Sequence, residues 1–275
     1  TQAIESRLFS TIVKSPGVSR YRPVSAMARE AGIAVTSTLN LWGEAYREGR
    51  KVIAISGTKG KSTPATLVHL MLTESGLDAG LAGNVGLAPL EIADKHPIVV
   101  FELSSYQTAD MAFTPDIAAI TNLSPEHTDW HRSVERYYQD KLNLIDRDAP
   151  FPVALGVGAL GNPLVMEALR DPSRLIPPLA PFIQDRIAGA AARSRLKGEH
   201  NLNNALLAAA IAMKAGADLE GVVRGIGKFT PLPHRLEEHQ VGAVTFVNDS
   251  ISTTPEATKA ALAAYEGTRI ALIAG

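Results

Sequence analysis

The sequence predicts an α/β fold, a three-layer arrangement in which helices cover both faces of a parallel sheet. Three observations predict it. Short apolar runs alternate with helical patterns from Val52 onward, a glycine-rich turn joins the first such run to the first such helix, and polar clusters follow the apolar runs. Alternation of this kind reads as βαβ units, and a parallel sheet takes its ligand at the carboxyl ends of its strands.

Taken in order, residues 8–13 read as a short strand and Ser15-Pro16-Gly17-Val18-Ser19 as a tight loop. A helix is expected over 24–32, a strand over 33–36 and a helix over 40–48. No complete unit precedes these, so the natural protein is expected to begin upstream. The sheet itself is expected from strands at 52–55, 79–82, 98–102 and 117–121, with a helix at 64–75. Residues 150–194, rich in Ala, Gly and Pro, give the weakest pattern and are assigned no chemistry. Beyond them, 203–214 forms an apolar helix stopped by Gly216, and 219–226 a shorter one before Pro231-Leu232-Pro233, the candidate domain boundary. A strand at 244–247, a helix opened by Thr254-Pro255-Glu256 and a strand at 270–273 follow. One strand-helix-strand unit cannot bury both faces of its sheet, so a truncated further domain is expected there.

The 275 residues carry 27 Lys and Arg against 28 Asp and Glu, a formal charge of -1. That balance argues against a nucleic-acid partner or an anionic membrane surface, which demand a basic excess. There is no cysteine. Disulfides, thiolate metal sites and a Cys nucleophile are excluded, leaving oxygen and imidazole ligands for any metal; a cytoplasmic protein fits. The longest apolar run, 205–213, is far short of a membrane span, and the first ten residues contain Glu5 and Arg7 without the apolar core of a signal peptide.

Chemistry concentrates first in Gly57-Thr58-Lys59-Gly60-Lys61-Ser62-Thr63. A glycine-rich turn between strand and helix cradles phosphate on its N–H groups; Lys61 would reach the terminal phosphates, and the hydroxyl of Ser62 or Thr63 would hold Mg²⁺. The loop is short, with two residues between its glycines, and it points to ATP. Glu102-Leu103-Ser104-Ser105 follows a strand at the same sheet edge, where the carboxylate suits Mg²⁺ or caps the next helix. The stretch from Asn122 to His131 gathers His127 and carboxylates in a loop, for a metal, a substrate or plain solvation. Lys141 lies in a helix-like segment and reads by default as a surface lysine. Asn201 and Asn204 read equally as helix caps, and His234-Arg235 equally as a surface pair.

Together these pieces resemble the ATP-dependent Mur ligases of peptidoglycan synthesis, nearest their glutamate-adding branch. The matching stretches are Lys14 to Val18, Gly57 to Thr63, Gly83-Asn84-Val85-Gly86, Glu102 to Gln107, Thr121 to Trp130, Gly198 to Asn204, Leu232 to Glu237 and Asn248-Asp249-Ser250. They run in order along nearly the whole chain. The folylpolyglutamate synthetases share the short loop but fit the later motifs less well. The resemblance implies a P-loop ATPase central domain over 41–232, flanked by pieces of two Rossmann-like domains. Residues 1–40 would be the remnant of a domain binding a UDP-linked substrate, and 233–275 the start of a glutamate-binding domain.

The reaction it implies is phosphorylation of the carboxylate of UDP-N-acetylmuramoyl-L-alanine by ATP, then attack by the amine of glutamate on the acyl phosphate. By the same resemblance Ser62 and Glu102 would hold one Mg²⁺, and His127 and Lys141, helped by Ser104, a second. The matching lysine of the family is carbamylated, which turns a cation into an anionic ligand. Lys61, His127 and Lys141 would be the catalytic groups. Asn84 would contact the muramoyl substrate, Gly17 the uridine nucleotide, Asn204 the adenine, and Arg235 and Asp249 the nucleotide from across the boundary. After Asn-Asp-Ser this chain has Ile251 where most D-glutamate-adding relatives carry lysine; Ser252-Thr253-Thr254-Pro255 looks like an L-glutamate-adding variant, in which Thr253 would meet the amino acid. A monomer is expected at full length, and little or no ligase activity from these residues alone. The alternatives are a folylpolyglutamate-type ligase and an ATP-binding fragment that does not ligate.

Overall fold

The computed structural model describes residues 4, 8–231, 234, 236–250, 252 and 255–274. A small unit comes first. Strands β1 (Thr11–Lys14) and β2 (Ala34–Ser37) pair in parallel, linked by helix α1 (Pro23–Glu30), and Ala28 and Ile33 pack with Ile12 and Val35 beneath them. Helix α2 (Thr38–Tyr46), capped by the Ser37 hydroxyl on the Asn40 N–H, leads into the main sheet.

That sheet has five parallel strands: β3 (Lys51–Ser56), β4 (Ala79–Gly83), β5 (Ile98–Glu102), β6 (Ile117–Asn122) and β7 (Val153–Gly158), in the order β4-β5-β3-β6-β7. The strands read as near-continuous apolar runs because both faces are covered. Ile53 and Ile55 point to one face, against helices α3 (Ser62–Glu74), α9 (Pro181–Ala192), α10 (Glu199–Ala215) and α11 (Leu219–Lys228). Val52 and Ala54 point to the other, against Trp42 of α2, Tyr137 of α7 (Val134–Leu142) and Val165 of α8 (Pro163–Leu169). Short helices α4 (Pro89–Ile92), α5 (Ser105–Asp110) and α6 (Thr128–His131) fill the remaining connections.

From β3 the chain passes to β4 and returns to β5 on one side, whereas β6 and β7 lie on the other. The order therefore reverses between β3 and β6, and a crevice opens beyond their carboxyl ends.

Residues 150–194 are more regular than their composition predicts: they supply β7, α8 and α9. The glycines that blur the pattern serve the sheet. A Cβ on Gly156 would lie 2.4 Å from the Thr121 carbonyl, and one on Gly158 2.6 Å from Asn122 Cβ, so β7 can follow β6 only with bare backbone there. The pairing register shifts at the same place: between the Ile120–Leu155 and Asn122–Gly158 pairs one β6 residue faces two of β7, so β7 carries the extra residue. Glycines also fix α3, since a Cβ on Gly221 or Gly225 of α11 would strike Ser75 or the Met71 backbone at 2.0 and 2.7 Å.

After α11 the expectation of a strand-helix-strand unit is corrected. Strands β8 (Glu237–Val241) and β9 (Val244–Asn248) form an antiparallel hairpin, followed by α12 (Pro255–Ala263). Residues 270–273 form no strand; nothing pairs with them among the described residues, and Ile273 is 95% exposed. Apolar sequence alone does not order a strand without a partner to take its N–H and C=O groups. No helix of the described residues is long and apolar enough to cross a membrane.

Candidate active site

The glycine-rich turn leaves β3 at the crevice and enters α3 without a capping side chain, so the first N–H groups of the helix stay open at its mouth. Gly57 and Gly60 have positive φ, 151° and 67°. Gly57 is also sterically required: a Cβ there would lie 1.9 Å from Thr121 Oγ1.

The loop is held from the β6 side. The Asn122 side chain accepts from the Lys59 N–H at 2.9 Å and donates to the Lys59 carbonyl at 2.9 Å, and Thr121 Oγ1 donates to that carbonyl at 2.8 Å. Thr58 bonds through its N–H to the Asn122 carbonyl, and through its hydroxyl to the Ser124 carbonyl and the Tyr137 phenol, at 2.7 Å for the last. Lys59 pairs with Glu126, and Lys61 Nζ donates to the Thr58 carbonyl at 3.0 Å.

Lys141 is no surface lysine. It is 2% exposed, and its amine donates to the Gly57 carbonyl at 2.7 Å. Burial, with Lys61 nearby, holds this amine well below the usual lysine range, against the opposing pull of Glu126. His127 sits beside them with Nε2 3.5 Å from Glu126, its imidazole likewise lowered by burial, with Lys141, His131 and Lys61 adding to the effect and Glu126 opposing it. A neutral imidazole is the form that ligates metals.

Glu102 ends β5, opposite Ile55 and Gly83 of the neighbouring strands. Its Oε1 accepts from Asn84 Nδ2 at 3.0 Å; its Oε2 is buried with no hydrogen-bond partner among the described residues. A buried carboxylate oxygen without a partner is costly unless a cation meets it. With the Ser62 hydroxyl at the start of α3, this donor set fits Mg²⁺, which needs few protein oxygens when phosphates and water complete its shell.

The remaining predicted residues are placed less centrally. Ser104 caps α5, trading hydrogen bonds with Gln107. Asn204, in the second turn of α10, lies beside Gly60. Gly17 sits in a turn that Trp130 holds through the Pro16 carbonyl at 3.0 Å. Asp249 accepts from the Leu236 N–H at 3.0 Å, a local role near the hairpin. Arg235, Ile251 and Thr253 lie outside the described residues.

Sequence reasoning gave no role to Asn122, Tyr137 or Glu126, which fix the loop. The signal for Asn122 was its place at a strand end beside the phosphate loop; for Tyr137, a spacing of four from Lys141 on one helix face.

Residues 55–154 match the family model described as Mur ligase middle domain. The matched span runs from the end of β3 into the start of β7, so it contains the loop, Glu102, His127 and Lys141 together. The chain is also 34% identical over 288 residues to a UDP-N-acetylmuramoyl-L-alanine--L-glutamate ligase of Xanthomonas euvesicatoria pv. vesicatoria, covering 97% of this chain and 61% of the relative. It is 35% identical over 272 residues to a UDP-N-acetylmuramoylalanine--D-glutamate ligase of Zymomonas mobilis, covering 93% and 60%. The chain thus spans about three fifths of the length of the curated relatives it matches. Among solved structures, MurF from Acinetobacter baumannii superposes with a TM-score of 0.65 at 18% identity, over 94% of this chain and 68% of that one. A folylpolyglutamate synthase from Thermotoga maritima gives 0.58 at 13%, over 83% and 70%. At these identities the likeness shows a shared fold.

Proposed function

We propose that this chain carries the ATP-using core of an amide ligase that joins glutamate to UDP-N-acetylmuramoyl-L-alanine through an acyl phosphate. One observation carries the reading: the amines of Lys61 and Lys141 and the His127 imidazole lie close enough beside the phosphate loop to act on one another's charge, and Glu102, at the end of the strand paired with β3, keeps a buried oxygen without a partner among the described residues. Two anions must approach each other in such a reaction, so the site must supply positive charge more than a strong nucleophile. Residues 1–40 serve the uridine-nucleotide end, 41–232 bind ATP, and 233–275 begin the glutamate end.

Within the site, the loop N–H groups and Lys61 hold and orient the phosphates, and Asn122 and Thr121 keep the loop in its cradling shape. Asn204 stands by Gly60 for the adenine, and Asn84 ties the muramoyl end to Glu102. Ser62 and Glu102 would hold one Mg²⁺, and His127 with Lys141 and Ser104 a second; the ions would offset the charge of the transferring phosphoryl group. Burial prepares Lys141 for its part. An uncharged amine adds to carbon dioxide with formation of an N–C bond and loss of one proton, and the carbamate replaces a repelling ammonium by an anionic oxygen ligand. The amino acid we infer is L-glutamate, since Ile251 stands where most D-glutamate-adding relatives carry lysine and relatives named for the L-isomer match over 97% of this chain.

The test is titration of the chain with Mg-ATP, together with phosphate release in the presence of UDP-N-acetylmuramoyl-L-alanine and each glutamate isomer. Lys61→Ala is expected to weaken nucleotide binding about 100-fold, as loss of a charged phosphate contact implies. Nucleotide binding indifferent to Lys61, or phosphate release driven by a folate in place of the uridine nucleotide, would sink the reading.

A further inference from the structure

Outside the groups assigned above, four polar side chains form a chain of hydrogen bonds, three of them buried and the fourth, Tyr21, half-buried. His131, fully buried, lies 2.6 Å through Nδ1 from Asp140 Oδ2 and 2.9 Å through Nε2 from Ser105 Oγ. Tyr21, from the loop between β1 and α1, donates its phenol to both oxygens of the same carboxylate, at 2.8 and 3.0 Å. The acceptor-only carboxylate requires Nδ1–H, and Nε2 shares the second hydrogen bond with the Ser105 hydroxyl. Ser105 and Asp140 are themselves buried, so this Ser-His-Asp order has no opening to a substrate and is no hydrolytic triad.

Its place in the fold gives it another role. Ser105 follows Ser104, His131 closes the short helix that His127 opens, and Asp140 precedes Lys141. On α7, neighbours lie about 100° apart, so Asp140 and Lys141 grip different surroundings. Asp140 grips Tyr21 and His131, while Lys141 grips Gly57; one turn earlier, Tyr137 bonds Thr58 and meets the His131 ring edge-on with centroids 5.2 Å apart. Tyr137, Asp140 and Lys141 lie within about a 100° arc on one side of the helix, and because each is tied to a different neighbour, the three bonds together oppose a roll about its axis. Rolling by even one bond length would carry the Lys141 amine away from the loop.

We propose that Asp140, acting through Tyr21 and His131, is the positioning residue that sets the roll of α7 and thereby the place of the Lys141 amine beside the phosphate loop. The same carboxylate links the β1–β2 unit to that amine, since Tyr21 is borne by the loop that also carries Gly17. The ligase reading explains only why the setting of Lys141 matters; the geometry stands without it.

Competitive trace acetylation of the intact chain with acetic anhydride, read lysine by lysine by mass spectrometry, tests this without nucleotide or substrate. In Asp140→Asn, which keeps the shape, Lys141 labelling is expected to rise about fivefold, the factor that one lost hydrogen bond implies. Lys51, bonded to the Ala215 carbonyl on the far side of the fold, should not change. Tyr21→Phe should raise Lys141 labelling by about twofold, and adding it to Asp140→Asn should add nothing, because the pair acts as one unit. Lys141 labelling unchanged in Asp140→Asn would overturn the proposal, as would a parallel rise at Lys51, which would reduce Asp140 to a general contributor to stability. Nucleotide titration of the same variants reports separately on the ligase reading.

Discussion

The wall of the crevice and the hairpin after α11 are both built of paired strands, yet they are held in different ways. At the wall, side chains from β6, α7 and the loop cross-link separate elements: Thr58 alone bonds the Asn122 and Ser124 carbonyls and the Tyr137 phenol. In the hairpin the ladder pairs β8 with β9, and Val241, Val244 and Phe246 stand more than half exposed. Its ties to the rest run through exposed groups, such as Lys197 to Glu238 at 2.7 Å. Backbone pairing orders a strand; side-chain bonds between elements are what place a functional group to within an ångström.

That contrast can be broken most forcefully at Gly57. Gly57→Ala drives a methyl into Thr121 at the tightest point of the wall, and a destabilisation of about 3 kcal/mol is expected in urea unfolding. An unfolding midpoint equal to that of the parent chain would show the wall to be looser than the hairpin comparison requires. A medium effect lies in acid. Burial, and then His96, hold the His69 imidazole of α3 below its ordinary value, so the unfolded chain takes up a proton at higher pH than the folded one. Stability is full above the ordinary imidazole value and falls as pH drops through the interval beneath it. Chemical denaturation across that interval should show a shallower acid loss in His69→Gln; an unchanged slope would remove His69 from the account. The smallest effect sharpens the other side. Phe246→Ser, 55% exposed on β9, should change unfolding free energy by less than about 0.5 kcal/mol and leave nucleotide titration unaltered. A larger loss would mean that the hairpin is locked as firmly as the wall.

The strands of the main sheet were legible because both-face burial makes unbroken apolar runs, and the phosphate loop because glycine and lysine at fixed spacing have few other uses. β7 was not, since the residues that let it bulge and still pack closely on β6 are glycines, and a run interrupted by Gly156 and Gly158 reads as loop. Residues 270–273 failed the other way: their apolar pattern states a preference, and pairing decides the outcome. Within the site, Lys61 was legible by motif. Lys141 read as a surface residue by composition and reached the site only through the family resemblance, because burial of one lysine on a mixed helix leaves no mark in local sequence. The Asp140 network was invisible for a related reason: its members come from four segments, and nothing short of the fold brings Tyr21 within reach of a residue 119 positions away.

The two glycines of α11 that lie against α3 carry a mechanical consequence. With no side chain between them, the two backbones meet directly, and the helix behind the phosphate loop has no room to recoil. Across the crevice, residues 123–132 are held by other means: His127 and Arg132 take left-handed backbone at φ 54° and 72° on either side of α6, and between them Trp130 donates to the Pro16 carbonyl while buried His131 bonds Asp140 and Ser105. Bare backbone braces one side of the loop and a clamped helix braces the other, so His127 stands at the edge of a frame set from both directions.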